Sequence, residues 1–347
     1  FGTDGKLQQC GNYKCYFTSN RTFHILFYGS DFRINDLPSW KSEYVSWGLM
    51  HEESPRNNPI LVHREALNLF NYSSTFSRFS DVPLTLTYLL YIFSPLDKRY
   101  FVPTKKKKEL MRTKNYAPLL YIQSDCDTAS DRDSYVFELM RYIQIDSYET
   151  VQDQKLNSFE NAICQDYITE KLWRPLIVGS VPVYYGSPSF KDWLPNKKSA
   201  ISILDFKDPK ELANFLHNIL TNDTEYDTYL SHKLIDNYEI DNRKLKEALE
   251  RKERSAMYEF GNYVQEFECF VCKESYKTER KEVKIVDTKH YDCPLPVCPL
   301  TRKVNEKNWE VVYDVTAFQS NTPFLFVNIN SSASSHEIFG IWSSFSL

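Results

Sequence analysis

Short apolar runs that end in glycine or turn residues alternate along this chain with stretches of helical period. That alternation restricts it to an α/β fold built on a mainly parallel sheet covered on both faces. Residues 23–29 (FHILFYG) and 45–50 (VSWGLM) read as buried strands in the first third. Residues 118–123 (PLLYIQ), 181–185 (VPVYY, bounded by Gly179 and Gly186) and 200–204 (AISIL) read as strands further on. Between them, residues 131–144 put Tyr135, Leu139 and Tyr142 on one helical face. Asp208, with Glu211 three residues later, opens a helix over 208–220. The 347 residues are enough for two cores. The expected division is 1–113, 114–262 and an irregular Cys-rich segment over 263–347. The charge run Lys105 to Lys108 beside Pro103 reads as a solvated linker at the first boundary.

A formal charge of -4 gives no reason to expect nucleic acid or an anionic membrane surface as a partner. No run of 18 apolar residues is present, and the opening FGTDGKLQQC is not a signal peptide. If the protein works in the secretory pathway, its anchor is expected upstream of this chain. Cys10 and Cys15, Cys269 and Cys272, and Cys293 and Cys298 are close in sequence. Zinc ligation is disfavoured by the loose outer spacing and the lack of a completing His, so disulfides are expected in a luminal setting. Asn20, Asn71, Asn222 and Asn330 stand in glycosylation sequons, close to the number that chance alone produces.

Two segments concentrate chemistry. HEESPRNNP (51–59) follows an expected strand, where open α/β sheets place their sites. FENAICQDYITEKLWRPLIVGSVPVYYGSP (159–188) sets acidic, aromatic and basic residues just before a helix. A helix start suits a phosphate, Lys171 adds a full charge, and the Glu170 carboxylate could hold a ribose diol. A capped helix with surface charges accounts for the same residues equally well. The pairs Asp125/Asp127 and Asp131/Asp133 stand at a strand-to-helix turn and read as caps rather than a metal site.

The run Phe159-Glu160-Asn161, then Asp166-Tyr167-Ile168-Thr169-Glu170-Lys171, then Val181-Pro182-Val183 and Gly186, resembles the donor-binding signature of the α1,3-fucosyltransferases, glycosyltransferase family 10. HEESPRNN (51–58), residues 69–84, 123–148 and 184–201, and the opening CGNYKCYFTSNRT (10–22) are similar to its animal branch called fucosyltransferases 10 and 11. The resemblance implies a GT-B architecture, two Rossmann-like domains facing a cleft. It implies GDP-fucose as donor, inversion without a metal, and no cofactor.

Residue by residue, the resemblance makes Glu53 the general base, with Glu52 ranked second. It puts Arg132 and Lys171 on the diphosphate, Tyr167 and Glu170 on the nucleotide and fucose, and Asn161 and Glu160 in support of that loop. It implies a glycoprotein or folded Cys-rich protein module as acceptor, and Ser/Thr O-fucosylation. Fucosylation of N-acetylglucosamine in glycans is one alternative, and a non-catalytic glycan- or client-binding protein is another. The implied setting is the endoplasmic reticulum or Golgi lumen, as a type II membrane protein. Between Tyr148 and Phe159 the family has more chain, including an apolar strand. Here ETVQDQKLNS (149–158) is short and polar, and no buried strand can be made from it. A sequence lacking residues of the natural chain, a splice form and an inactive relative are the competing explanations.

Overall fold

A computed structural model describes residues 5–18, 24–38, 41, 44–86, 95–122, 128–148, 159–256, 263–277, 284–291, 293–305 and 338–341. The chain forms two compact units. Unit 1 comprises Phe1–Thr85, Asn262–Cys293 and Asn308–Leu347, and unit 2 comprises Leu86–Gly261 and Pro294–Lys307.

Unit 1 holds a six-stranded sheet. Its order is β1 (Lys6–Cys10), β2 (Tyr13–Thr18), the strand Ile338–Ile341, β3 (His24–Tyr28), β4 (Trp47–His51) and β5 (Tyr72–Thr75). β1 and β2 form an antiparallel hairpin that turns at Gly11, whose φ of +69° lies in the left-handed region that glycine enters without steric cost. The other pairings are parallel. Every residue of β4 is buried, as a central strand covered on both faces requires. On one face Phe27 meets Phe32, Trp47 and Phe70 edge to face at 5.6–5.7 Å. On another side the helix Tyr263–Ser275 packs close, and Gly48 is what admits it. A Cβ there would lie 2.9 Å from the Phe267 ring and 2.7 Å from Leu26.

Disulfides Cys10–Cys269 and Cys15–Cys272 clamp that helix to the hairpin. The expected disulfide chemistry is therefore present, and Cys10 and Cys15 bond to Cys269 and Cys272 across 259 and 257 residues of chain. Cys293 is also disulfide-bonded. Cys298 departs from the expectation: its thiol is free and buried. It sits 3.5 Å from the Ser134 hydroxyl and 3.6 Å from the Asp131 carboxylate, so its polar needs are met without a second sulfur.

Unit 2 carries two short parallel sheets, β6 (Leu119–Ile122) with β7 (Ile145–Tyr148), and β8 (Val183–Tyr184) with β9 (Ile201–Ser202). Around them lie α1 (Thr104–Lys114), α2 (Arg132–Leu139), α3 (Glu170–Val178) and α4 (Pro209–Thr221). The Asp208 carboxylate accepts from the Glu211 amide at 2.9 Å, the cap the sequence predicts for α4. Tyr135, Leu139, Leu212 and Leu216 join one apolar core beside the strands.

Three expectations change. Lys105 to Lys108 are not a linker but the first turns of α1. Lys107 is drawn inward, donates to the Gly179 carbonyl at the C-terminus of α3, and lies 5.4–5.6 Å from the rings of Phe101 and Tyr226. Burial lowers its pKa to about 8, and the negative end of the α3 dipole is a favourable place for its charge. The division between units falls at 85/86 rather than after 113. Finally, residues 263–347 are not one irregular tail, because they open with an ordered helix and are shared between the units.

Candidate active site

In unit 1, Tyr28 and His51 end the adjacent parallel strands β3 and β4, and Glu52 and Glu53 follow directly. The Tyr28 hydroxyl donates to Glu52 Oε1, while Oε2 is buried with no hydrogen-bond partner among the described residues. Burial lifts the Glu52 carboxyl above its ordinary range, the Tyr28 hydrogen bond opposing it and the charge of Glu53 adding to it. Glu53 is more open. Asn57 donates to its Oε2 at 3.3 Å, and the Tyr291 hydroxyl donates to its backbone carbonyl at 3.2 Å.

Behind the two carboxylates, His51 is fully buried between Ser30 (3.0 Å to Nε2) and the Tyr291 hydroxyl at Nδ1. Burial lowers its pKa to about 3, so the ring is neutral. The loop that follows is fixed by Ser54, whose hydroxyl caps the turn Pro55–Asn57, and by Asn58, which donates to the Gly29 and Phe32 carbonyls. Tyr291, in the tail, is a site residue that sequence reasoning missed, and no local pattern marks it.

In unit 2 the segment 159–171 is organised around Glu160, which is wholly buried. It accepts from the Thr169 amide at 2.8 Å, the Thr169 hydroxyl at 2.7 Å and the Tyr184 hydroxyl at 3.4 Å. Lys171 Nζ lies 3.8 Å from Glu160 and 3.4 Å from Glu170. Burial raises the Glu160 pKa to about 7 despite the nearby Lys171 charge and the Thr169 hydrogen bonds. Glu170 shows the opposite outcome: burial would raise it, yet Lys171 and Arg174 hold it below the usual carboxylate value.

Thr169 caps α3 by accepting from the Lys171 amide, so Lys171 and Glu170 stand at the positive end of the helix dipole. Gly186 makes room for this centre, since a Cβ there would lie 2.4 Å from the Tyr184 hydroxyl and 2.5 Å from Glu160 Cγ. Asp166, in the signature run, was given no role by sequence. Buried and at a φ of +63°, it ties the loop to 187–193 by accepting from the Ser189 hydroxyl (2.6 Å) and Trp193 Nε1 (3.1 Å).

Two expected contact residues are less available than the sequence implies. Arg132 is 2% exposed, and its Nη1 donates to the Phe159 carbonyl and to Asn161 Oδ1, both at 2.7 Å. It therefore ties the start of α2 to the 159–161 loop. Tyr167 is 1% exposed and packs inward. Glu160, Glu170 and Lys171 lie together at the start of α3, and Asn161 meets Arg132.

Asp125 and Asp127 lie outside the described residues. Asp131 precedes α2, and Asp133 accepts from the Tyr121 hydroxyl at 2.7 Å. Among the described residues no group of three or more His, Cys, Asp or Glu is placed to hold a metal, and no helix is long and apolar enough to cross a membrane. Of the sequons, Asn20 and Asn330 lie outside the described residues. Asn71 uses its side chain in the fold, accepting from the Trp47 amide and donating to the Lys284 carbonyl. Asn222 is exposed and caps the helix Asp223–Tyr229.

Residues 111–290 match the model of the family "Glycosyltransferase family 10 (fucosyltransferase) C-term". The chain is 43% identical to GDP-fucose protein O-fucosyltransferase 3 of Rattus norvegicus over 336 positions, covering 85% of this chain and 69% of the relative. The Homo sapiens protein of that name is 44% identical at the same coverage, and the Gallus gallus protein is 42% identical, with 70% of it covered. Since 85% of 347 residues is about 295, the relatives carry about 40 residues inside that span that have no counterpart here. A crystal structure of an alpha1,3-fucosyltransferase with GDP-fucose aligns at a TM-score of 0.40 and 17% identity, covering 65% of this chain and 80% of that one. The signature around Glu160 and the extent of these matches make the chain a member of glycosyltransferase family 10, the fucosyltransferases.

Proposed function

We propose that the chain transfers fucose from GDP-fucose to a Ser or Thr hydroxyl of a folded, Cys-rich protein module, with inversion at the anomeric carbon. The observation that carries this reading is the start of α3. There the Lys171 ammonium, the helix dipole and a Glu170 carboxylate kept ionised lie within one turn, all fixed by buried Glu160. A nucleoside diphosphate needs a positive centre for its phosphates and an acceptor pair for its sugar, and this turn offers both.

In the reaction, the acceptor oxygen attacks the anomeric carbon as the bond to the β-phosphate oxygen breaks. The acceptor proton passes to Glu53, and the charge gained by departing GDP is met by Lys171. Cationic side chains supply that stabilisation, so the reading requires no metal, and chelation is expected to leave the rate unchanged. Each unit has a mainly parallel sheet, in keeping with a Rossmann-like domain apiece.

The protein acceptor is supported by the names of the 42–44% identical relatives. The two disulfides of unit 1 agree with an endoplasmic reticulum or Golgi lumen, where a type II anchor would hold the protein. The reading is tested by calorimetry with GDP-fucose, followed by intact-mass analysis of a folded Cys-rich module incubated with protein and donor. Binding together with addition of one deoxyhexose is expected, and a chain that binds no GDP-fucose would overturn the proposal.

A further inference from the structure

His51 ends β4 in a space that Gly29 leaves open. A Cβ at Gly29 would lie 2.3 Å from Cγ of the His51 ring and 2.7 Å from its Nδ1. The Tyr28 ring meets the imidazole edge-on at 6.2 Å. The opposite wall comes from far along the chain. Tyr291 follows the turn Thr288–His290, which is tied to the end of β5. The Thr75 hydroxyl donates to the His290 carbonyl at 2.6 Å, and the Ser77 hydroxyl donates to the Lys289 carbonyl at 2.9 Å. The Tyr291 ring then stacks on Phe76 at 5.2 Å. His51 is 0% and Tyr291 2% exposed, so both are held inside unit 1.

The protons of this group follow from a count of donors. A phenol has one hydrogen to give. Tyr291 gives it to the Glu53 backbone carbonyl at 3.2 Å, a group that can only accept. Toward His51 Nδ1 the phenol oxygen therefore accepts, so Nδ1 carries the ring hydrogen. Burial keeps the ring neutral, which leaves Nε2 bare to accept from the Ser30 hydroxyl at 3.0 Å. The three bonds run in one sense, from Ser30 to His51 to Tyr291 to Glu53. With the other tautomer the Tyr291 hydroxyl would turn to Nδ1, and its bare oxygen would face the Glu53 carbonyl, two acceptors 3.2 Å apart.

We propose that His51 and Tyr291 are positioning residues, a buried brace with the hydrogen fixed on His51 Nδ1, which holds the Glu53 peptide and so aims the carboxylate that follows β4. Both act through Glu53 rather than on a substrate. Their consequence for transfer rests on the reading of Glu53 as the base, whereas the brace itself does not. A reacting group displaced by about 1 Å can lose about 100-fold in rate, so a fixed peptide at Glu53 matters to the reaction.

The brace is read first on the unaltered chain. Its histidines are labelled with the heavy nitrogen isotope and followed by NMR near neutral pH, with the His51 signals assigned by their loss in His51→Asn. A protonated Nδ1 and a bare Nε2 are expected. The Nε2–H tautomer would overturn the proposal.

Kinetics then read the positioning role. Tyr291→Phe keeps the stacked ring and removes only the hydroxyl. In the transfer assay above it is expected to lower kcat by about 10- to 100-fold while KM for GDP-fucose and the calorimetric affinity for GDP stay unchanged. His51→Leu is expected to lose as much, and the double variant no more than either alone, because both break one chain of bonds. His51→Asn, whose amide can still donate to Tyr291, is expected to recover most of the kcat that His51→Leu loses. Partial unfolding alone would neither spare KM and GDP affinity nor be rescued by a donor. Full kcat in Tyr291→Phe, or a His51→Asn no better than His51→Leu, would overturn the positioning role while leaving the transfer reaction standing. An unaltered chain that transfers no fucose would overturn the function proposed above, and the tautomer then decides the brace by itself.

Discussion

The buried Glu160 carboxylate accepts both the amide and the hydroxyl of Thr169, at 2.8 and 2.7 Å, and so locks the residue that caps α3. The pair joins the Phe-Glu-Asn loop to the turn that presents Glu170 and Lys171. Burial raises the Glu160 pKa from an ordinary 4.5 to about 7. Between those two values the folded state binds more protons than the unfolded one. Stability therefore falls as pH rises from about 4.5 to about 7 and levels off above, by at most ~3 kcal/mol from this group. Glu160→Gln is expected to remove that dependence while keeping one acceptor for Thr169. Denaturant titrations of both proteins at pH 5 and pH 8 check this, and equal pH slopes would rule it out.

The two neighbouring carboxylates of unit 1 are expected to separate cleanly. Glu52 accepts from the Tyr28 hydroxyl at Oε1, and its Oε2 is buried with no partner among the described residues, so neither oxygen is offered to an acceptor. Glu53→Gln is expected to abolish transfer while GDP binding stays close to normal. Glu52→Gln imitates the protonated acid and is expected to keep most of the activity. Initial rates and GDP calorimetry on the two variants decide the matter. Loss of activity in Glu52→Gln with retention in Glu53→Gln would reverse the assignment.

Lys171 is the cation at the start of α3, and its side chain is only 13% exposed. Lys171→Ala is expected to weaken GDP binding by about 1.5–3 kcal/mol, the usual worth of a hydrogen bond to a charged group. It also leaves Glu160 without its nearest ammonium. Calorimetric affinities that agree within a factor of two would exclude Lys171 from the phosphate site.

Glycosylation is expected to distinguish two sequons. Asn71 accepts from the Trp47 amide at 2.9 Å and donates to the Lys284 carbonyl at 3.0 Å. Asn222 uses only its oxygen, toward the Glu225 amide at 3.1 Å, and leaves its nitrogen available on an exposed turn. Peptide mapping of protein secreted from animal cells should find a glycan on Asn222 and none on Asn71. Asn71→Ala should cost about 1–3 kcal/mol, because the Trp47 amide then loses its partner. A fully occupied Asn71 would contradict the first outcome.

Much of this molecule is legible in short stretches of sequence. The strands at β3, β6, β8 and β9 fall inside the apolar runs that predict them, and β4 overruns its run by His51 alone, because burial on both faces demands continuous apolar residues. The Asp208 cap fixes the start of α4, since its hydrogen bond spans only three residues. The sequence alone places Glu170 and Lys171 at the start of a helix, while the fold brings Glu160 to them. What lay beyond reading were partners far apart in the chain. Cys10 and Cys15 bond to Cys269 and Cys272 rather than to each other, because the hairpin and the helix Tyr263–Ser275 meet only once both are folded. The resemblance puts Arg132 on the diphosphate, and only the fold shows that its Nη1 donates to Phe159 and Asn161. Lys107 looks solvated until Gly179, Phe101 and Tyr226 close around it. Local hydrogen bonds and periodicity act over a few residues and are written in the sequence. Which charge is buried and which thiols meet depend on contacts between distant segments, and only the packed tertiary structure decides them.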